Sequence, residues 1–172
     1  MPSPWLEQFV VDLLKVPNDS SKKKAFPRKA RVVQILDCNS ENKTLVISDK
    51  ANTVVAMLTD VCFNSLTENY SASELKNSLV KLDKSKYHMS TVLQNSGNRN
   101  VSGVSMPLAL HVSSITYMGA SGSEVYTKSS DGALPGDINR ESTVKGAFVR
   151  LGKSYPRLVE LLRMNQVSLE EV

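Results

Sequence analysis

Apolar residues recur every three or four positions near the start of the chain, which is the spacing of one face of an α-helix. The stripe consists of Trp5, Leu6, Phe9, Val10, Leu13 and Leu14. Ser3 suits the N-cap and Pro4 the first helical position, and Pro17 ends the pattern. Because the apolar stripe is wide, we predict a helix over residues 3–15 that packs on the rest of the protein.

Three short runs rich in β-branched and aliphatic residues follow, at 30–37, 44–49 and 53–58. This composition is typical of strands. The links between the runs are too short for a crossover, so consecutive strands must be antiparallel neighbours. The chain from 30 to 58 is therefore predicted to form a three-stranded meander.

The period of two is lost over residues 60–86, where spaced leucines favour one or two short helices. Strand patterns return at 87–94 and 108–118. Residues 119–147 are rich in Gly, Ser and Asp and indicate a loop, and apolar spacing at 156–166 indicates a last helix.

A meander, a helix and two further strands is the element order of the OB-fold barrel. We therefore predict a mainly β (α+β) protein: a five-stranded OB-fold barrel with an N-terminal helix, a helix between strands three and four, and a C-terminal helix. An SH3-like barrel lacks the long helical insert, and an α+β sandwich is the remaining alternative. The expected organisation is an OB domain at 1–118, a flexible loop at 119–153, and a C-terminal helix and tail at 154–172, packed on the same domain.

The composition is that of an ordinary globular chain. Its 172 residues are 41% apolar and 22% charged, which suits one domain with a core. Two cysteines, Cys38 and Cys62, do not make a disulfide framework, so a reducing compartment is expected. We find neither a signal-peptide pattern nor an apolar run long enough for a membrane span, and expect no membrane partner.

Two segments resemble catalytic or nucleotide-binding motifs, but each lacks a required feature. His88 and His111 lie in strand-like segments without further metal ligands at the usual spacing, and are expected to be ordinary sheet residues. Residues 146–154 resemble a Walker A loop but have five residues between the glycines where the motif has four, and 118–123 lacks the last glycine of a nucleophile elbow. We therefore expect no enzyme, no metal and no cofactor.

Positive charge is concentrated in one segment without acidic residues, 20–31. Its basic residues are Lys22, Lys23, Lys24, Arg28, Lys29 and Arg31. The rest of the chain has 15 of the 21 basic residues and all 17 acidic ones, so it is slightly acidic. Such a run attracts phosphate backbones or is simply solvated. Strands two and three, where OB barrels commonly bind single strands, hold no aromatic or basic residue, although Tyr87 and Tyr117 elsewhere are expected to face outward. Weak contact with nucleic acid is therefore the alternative, and a protein-binding module fits better.

Three segments in this order resemble a known family: PWLEQFVVDLL at the N-terminus, then LVISDKANTVVAMLTDVCF, then LALHVSSITYM. Together they look like the telomerase-recruiting OB-fold family, which includes a small yeast telomerase subunit and the OB domain of the shelterin recruitment protein. The resemblance spans roughly residues 3–118, and the small size favours the yeast subunit. It implies a non-catalytic telomerase accessory subunit in the nucleus, at telomeres. Its implied partners are the N-terminal region of the telomerase reverse transcriptase, other accessory subunits and, weakly, telomeric DNA or telomerase RNA.

The resemblance also implies a protein-binding surface beside the barrel helix and the fourth strand. By position, its residues are Trp5, Glu68, Asn69, Glu74, Ser78 and Lys84. Trp5 is equally suited to the core, because tryptophan both fills cores and anchors interfaces. Glu68 and Glu74 suit a solvated helix face as well. Asp49 is interpreted as structural, as a cap of the hairpin turn or a partner of a nearby lysine.

The sequence is consistent with three functional hypotheses. The first is the telomerase accessory subunit that binds the catalytic protein, and the second is a single-stranded nucleic-acid-binding OB protein. The third is an adaptor whose helix at 156–166 binds an unrelated partner.

Overall fold

The N-terminal helix, α1, spans Leu6–Leu13 in the computed structural model of the chain. The structure describes residues 4–13, 29–91, 108–119 and 134–154. Leu6, Val10 and Leu13 of α1 are buried, as the spacing of apolar residues predicted. Ser3 and the predicted C-terminal helix at 156–166 lie outside the described residues.

The strands of the predicted meander are β1 (Arg31–Asn39), β2 (Thr44–Ser48) and β3 (Asn52–Leu58), each antiparallel to the next. Two helices follow, α2 (Asp60–Asn69) and the short α3 (Ala72–Leu75). The remaining strands are β4 (Leu79–Leu82), β5 (Tyr87–Thr91), β6 (Leu108–Val112), β7 (Ile115–Gly119) and the two-residue β8 (Gly136–Asp137). A 3-10 turn (Ile138–Arg140) and the helix α4 (Ser142–Ser154) complete the described chain.

The protein is a mixed α+β structure built on one curled sheet. The strands run in the order β5-β6-β3-β2-β1-β4-β7, and β8 pairs with β3 beside this path. β3 and β6 are parallel, with Met57 opposite His111, while β1 and β4 are antiparallel. The described sheet therefore has more strands than the five that the sequence predicted.

The extra strands arise where two strands bend. β4 and β5 are joined by a turn at Asp83–Lys86, and β6 and β7 by Ser113 and Ser114. Pairing continues across both bends, because the Asp83 N–H donates to the Ser114 carbonyl over 3.2 Å and the Ser113 N–H to the Lys86 carbonyl over 2.8 Å. Since β4 also pairs with β1, the sheet curls back toward its own first strand.

Both helices after β3 begin at side-chain caps. Thr59 accepts from the Cys62 N–H at the start of α2. Ser71 and Glu74 form a reciprocal capping box at the start of α3. Such caps satisfy N–H groups that the first helical turn leaves unpaired, which explains why the chain turns into a helix at these positions.

The strand β4 was missed by the sequence interpretation, which assigned residues 60–86 to helices. Its burial alternates, with Val80 and Leu82 inside and the residues before them less buried, as in a strand with one covered face. Four residues are too few to separate this alternation from helical spacing in the sequence alone. Pairing with β1 on one side and β7 on the other decides the conformation.

The predicted loop at 119–153 is wrong over residues 142–153, which belong to α4. The sequence did not indicate this helix because it contains two glycines, and each lowers helix stability by about 1 kcal/mol relative to Ala in a helix interior. Val144, Ala147 and Leu151 nevertheless lie on one face and are almost fully buried. Their burial, together with packing of α4 on α1, offsets the weak intrinsic propensity.

The core lies inside the curled sheet and under α1, α2 and α4. Ile35, Ile47, Leu82 and Leu110 are among its fully buried side chains. In the described part of the chain, every helix is too short or too polar to cross a membrane.

Candidate protein-binding surface

Asp49 ties the N-terminal helix to the β2–β3 hairpin. One carboxylate oxygen accepts from the backbone N–H groups of Trp5 and Leu6, each over 2.8 Å. The other accepts from Ala51 and Asn52 over 3.0 and 2.8 Å, and the side chain is only 2% exposed. Asp49 thus caps the hairpin turn, as predicted, and also caps α1 across 43 residues of sequence, which was not predicted.

Trp5 lies in the core and not on an open surface. It is 6% exposed and packs edge-on against Phe9, at 5.6 Å between ring centroids, and against Tyr87 at 6.0 Å. The Arg31 guanidinium lies 5.1 Å from the centre of its ring. The indole Nε1 is buried without a hydrogen-bond partner among the described residues. Of the two roles predicted for Trp5, core packing is therefore the one seen in the structure.

A groove of about 340 Å³ runs between α2 and the β6–β7 bend. Leu66 lines it from α2, and Ser113 and Ser114 line it at the bend. Its lining is Val61, Cys62, Ser65, Leu66, Asn69, Tyr70, Ser113, Ser114, Ile115 and Tyr117. We call this the α2 groove.

Two features add apolar surface to the α2 groove, whose lining is otherwise largely polar. Tyr70 and Tyr117 stack with their ring centroids 3.8 Å apart and their planes 21° from parallel. Val61, at the start of α2, is 80% exposed. Tyrosines and exposed aliphatic groups surrounded by polar residues are typical of protein-binding surfaces. The sequence interpretation noted Tyr117 as an outward aromatic but did not connect it with Tyr70, because their pairing requires the tertiary fold.

The six predicted protein-binding residues fall in different surroundings. Asn69 lines the α2 groove, and Glu68 precedes it on the exposed surface of α2. Glu74 is exposed but accepts from the Ser71 N–H, so it also serves α3. Lys84 is exposed in the turn after β4, next to Asp83, whose carboxylate binds the hydroxyls of Ser114 and Thr116.

Ser78 and Trp5 do not lie on the predicted protein-binding surface. Ser78 is fully buried, and its hydroxyl donates to the Leu75 carbonyl over 2.6 Å. Trp5 lines a separate cleft of about 430 Å³ with residues of α1, the hairpin turn and α4, which shares no lining residue with the α2 groove. Of the six residues, Asn69 therefore lines the α2 groove, Glu68 is its neighbour on α2, and Glu74 and Lys84 lie on neighbouring elements.

The predicted nucleic-acid-binding residues are only partly described. Lys22, Lys23, Lys24 and Arg28 lie outside the described residues. Lys29 is exposed, and its carbonyl accepts from the Tyr87 hydroxyl over 2.7 Å. Arg31 belongs to β1 and packs on Trp5, so it is not part of a solvated run. Tyr87 is 2% exposed, and the expectation that it faces outward is wrong.

One of the two incomplete catalytic motifs lies within a helix. Residues 146–154 form the body of a helix, which excludes the strand-loop-helix cradle of a Walker A site. Only Met118 and Gly119 of the second motif are described. The two histidines, in contrast, lie opposite each other on β5 and β6 with their rings stacked. Burial, and then the nearby His88, lowers the pKa of His111.

Comparisons with known proteins give a structural likeness and no likeness in sequence. No family model and no curated protein matches the chain. Among solved structures, the chain is similar to the "Est3 telomerase subunit in the yeast Hansenula polymorpha", with a TM-score of 0.48 and 10% identity over 73% of this chain and 76% of that one. A likeness of this size carries no argument about function, so the proposals below depend on the chain's own residues.

Proposed function

We propose that the protein is a non-catalytic accessory subunit of telomerase. In this proposal it is an OB-fold protein-binding module that contacts the N-terminal region of the telomerase reverse transcriptase and supports telomere elongation in the nucleus. The observation that carries the proposal is the contact of Asp49 with Trp5 and Leu6. It unites the Pro-Trp helix start and the Ser-Asp hairpin, the two segments on which the family resemblance chiefly rests, in one hydrogen-bonded unit.

The strand pairing supports the OB-fold assignment. If β4 and β5 are counted as one bent strand, and β6 and β7 as another, the seven strands of the main order become five, with the two-residue β8 beside them. The first of these pairs with the second and the fourth, so the sheet closes on itself. A five-stranded, partly open Greek-key barrel is the architecture of an OB-fold.

The α2 groove and its acidic rim are the proposed docking surface. Val61, Tyr70 and Tyr117 provide apolar surface, Asn69 lines the groove, and Glu68 is exposed next to Asn69 on α2. Productive interfaces combine an apolar centre, often with tyrosine, with a polar rim that selects the partner. We expect the complementary surface of the reverse transcriptase to carry basic side chains opposite Glu68 and Glu74. Contacts with other accessory subunits remain part of the same proposal.

Charge reversal at the rim tests this surface. We expect Glu68→Lys, combined with Glu74→Gln, to reduce co-purification with telomerase activity at least tenfold and to shorten telomeres. Gln at position 74 keeps the capping interaction with Ser71 while removing the charge, because Gln fulfils the same role in a capping box. The denaturation midpoint of the double variant is measured in parallel to verify folding.

The matched control is Glu41→Lys, a charge reversal at an exposed residue in the β1–β2 turn. We expect this variant to co-purify with telomerase as the unchanged protein does. If the double variant also co-purifies normally, the assignment of the α2 groove is wrong. If the unchanged protein never co-purifies with telomerase activity, the proposed function itself is wrong.

Single-strand binding is tested separately by titration with telomeric single strands over a series of salt concentrations. We expect weak affinity with a steep salt dependence, since basic residues without stacking aromatic side chains give unspecific attraction. Tight, sequence-dependent binding at physiological salt would instead favour the nucleic-acid-binding alternative.

A further inference from the structure

Met57, His111 and His88 form a row across three neighbouring strands. Met57 on β3 lies opposite His111 on β6, and His111 lies opposite His88 on β5. Their neighbours along the strands, such as Leu58, Leu110 and Met89, are buried, so the three residues of the row project from the other face of the sheet. His88 is exposed, while His111 and Met57 are partly buried.

The row borders a shallow cavity. The two imidazole rings are 5.0 Å apart between centroids and only 6° from parallel. All three side chains line a space of about 340 Å³ together with Leu58, Thr59, Val112 and Ser113. Two imidazoles and one thioether thus meet at one opening on the sheet surface.

We propose that His88, His111 and Met57 bind a monovalent copper ion. Thioether sulfur is a soft ligand that selects Cu(I), and imidazole also suits copper. Among the described residues, no group of three or more His, Cys, Asp and Glu side chains lies close enough to hold a metal. A structural zinc site is therefore not available at this place, because it needs four ligands of those types. In the proposed copper site, the Met57 thioether is the third ligand beside the two imidazoles.

Binding of one ion by both imidazoles requires a reorientation of the rings. Metal–imidazole bonds of about 2 Å require the two nitrogens to lie within about 4 Å of each other. Rings that are parallel at 5.0 Å must therefore tilt toward each other when the ion binds. His88 is exposed, so its ring is the one that turns, and the backbone pairing of β5 with β6 keeps the two residues opposite.

The test is an anaerobic titration of the full-length chain with Cu(I), in competition with a chromophoric Cu(I) chelator. We expect one equivalent to bind, with at least a tenfold loss of affinity in His88→Gln and in His111→Gln. X-ray absorption of the complex should reveal one sulfur scatterer, which Met57→Leu removes. Because His88 is exposed, His88→Gln keeps the test valid if His111→Gln folds poorly.

Two variants serve as matched controls. Met118→Leu changes an exposed methionine on β7, and Cys38→Ser removes a partly buried thiol. We expect both to bind Cu(I) as the unchanged chain does. The proposal is overturned if Cu(I) affinity survives both histidine changes, or if Cys38→Ser abolishes it. It is also overturned if Zn(II) binds more tightly than Cu(I) and Met57→Leu has no effect.

Discussion

At the scale of single residues, Asp49 accounts for much of the link between the N-terminal helix and the sheet. A buried carboxylate is costly unless its oxygens accept hydrogen bonds, and Asp49 accepts four from backbone N–H groups. Two of these come from the start of α1 and two from the turn after β2. The same side chain therefore determines where the helix begins and how the hairpin closes.

We predict that Asp49→Asn lowers the free energy of unfolding by about 2–4 kcal/mol, measured by urea denaturation. The amide retains one acceptor oxygen, so at least one pair of buried N–H groups loses its partner, at about 1–3 kcal/mol for each unsatisfied group. The control is Asp60→Asn, which breaks the surface ion pair with Lys43 and should cost less than about 1 kcal/mol. Equal effects of the two changes would contradict the role assigned to Asp49.

The metal-free protein should also lose stability in mild acid because of His111. Burial first, and the nearby His88 second, holds the pKa of His111 below its ordinary value. The unfolded chain therefore takes up a proton first as the pH falls, so the free energy of unfolding decreases below about pH 6.5 until the folded pKa is passed.

The measurement is a series of urea denaturations between pH 8 and 5, with ring-proton NMR of both histidines. In His88→Gln, the pKa of His111 should rise but stay below its ordinary value, because desolvation remains. A pKa of His111 above its ordinary value in the unchanged protein would contradict this explanation.

At the scale of elements, α4 shows how tertiary packing overrides local propensity. Its sequence contains Gly146 and Gly152, and the surrounding segment is polar enough to suggest a loop. Val144, Ala147 and Leu151 nevertheless bury one face, and Thr143 donates to Glu7 on α1 over 2.6 Å. The helix is thus stabilised chiefly by what it contacts, as is usual for short helices.

We predict that Leu151→Ala lowers the free energy of unfolding by about 2–5 kcal/mol, the usual cost of truncating a fully buried leucine. Val149→Ala, on the same helix but 57% exposed, should change it by less than about 1 kcal/mol. Urea denaturation of both variants measures the difference. If the two variants are equally stable, α4 does not pack on the core as described.

At the scale of the whole molecule, residues 134–154 complete the unit that begins at the N-terminus. The Asn139 side chain bonds both backbone groups of Leu108, and Asn52 donates to Glu141 over 2.8 Å. Ile138 and Leu151 are fully buried in the common core. The predicted boundary of an OB domain at 118 therefore cuts through packed structure.

We predict that a chain ending at residue 118 unfolds at a clearly lower urea concentration than the full chain, or without cooperativity. Its core loses Ile138, Val144, Ala147 and Leu151, and β3 loses its short partner β8. Circular dichroism at increasing urea measures this. A truncated chain with the midpoint of the full chain would restore 1–118 as an independent domain.

The sequence by itself determined the elements whose pattern is strong and local: α1, the meander of β1 to β3, and the later strands β5 to β7. Each has a long apolar stripe, or alternation bounded by turn residues, and these depend only on neighbouring positions. It also supplied the chain positions of Glu68 and Asn69, although their docking role stays a prediction.

Only the tertiary structure decided the features that join distant positions. β4 is a strand because β1 and β7 flank it, and α4 is a helix because its apolar face is buried. Trp5 and Ser78 leave the predicted surface, while Tyr70 meets Tyr117 and His88 meets His111. Such contacts depend on register and on how the sheet bends, which long-range pairing determines and local sequence patterns do not encode.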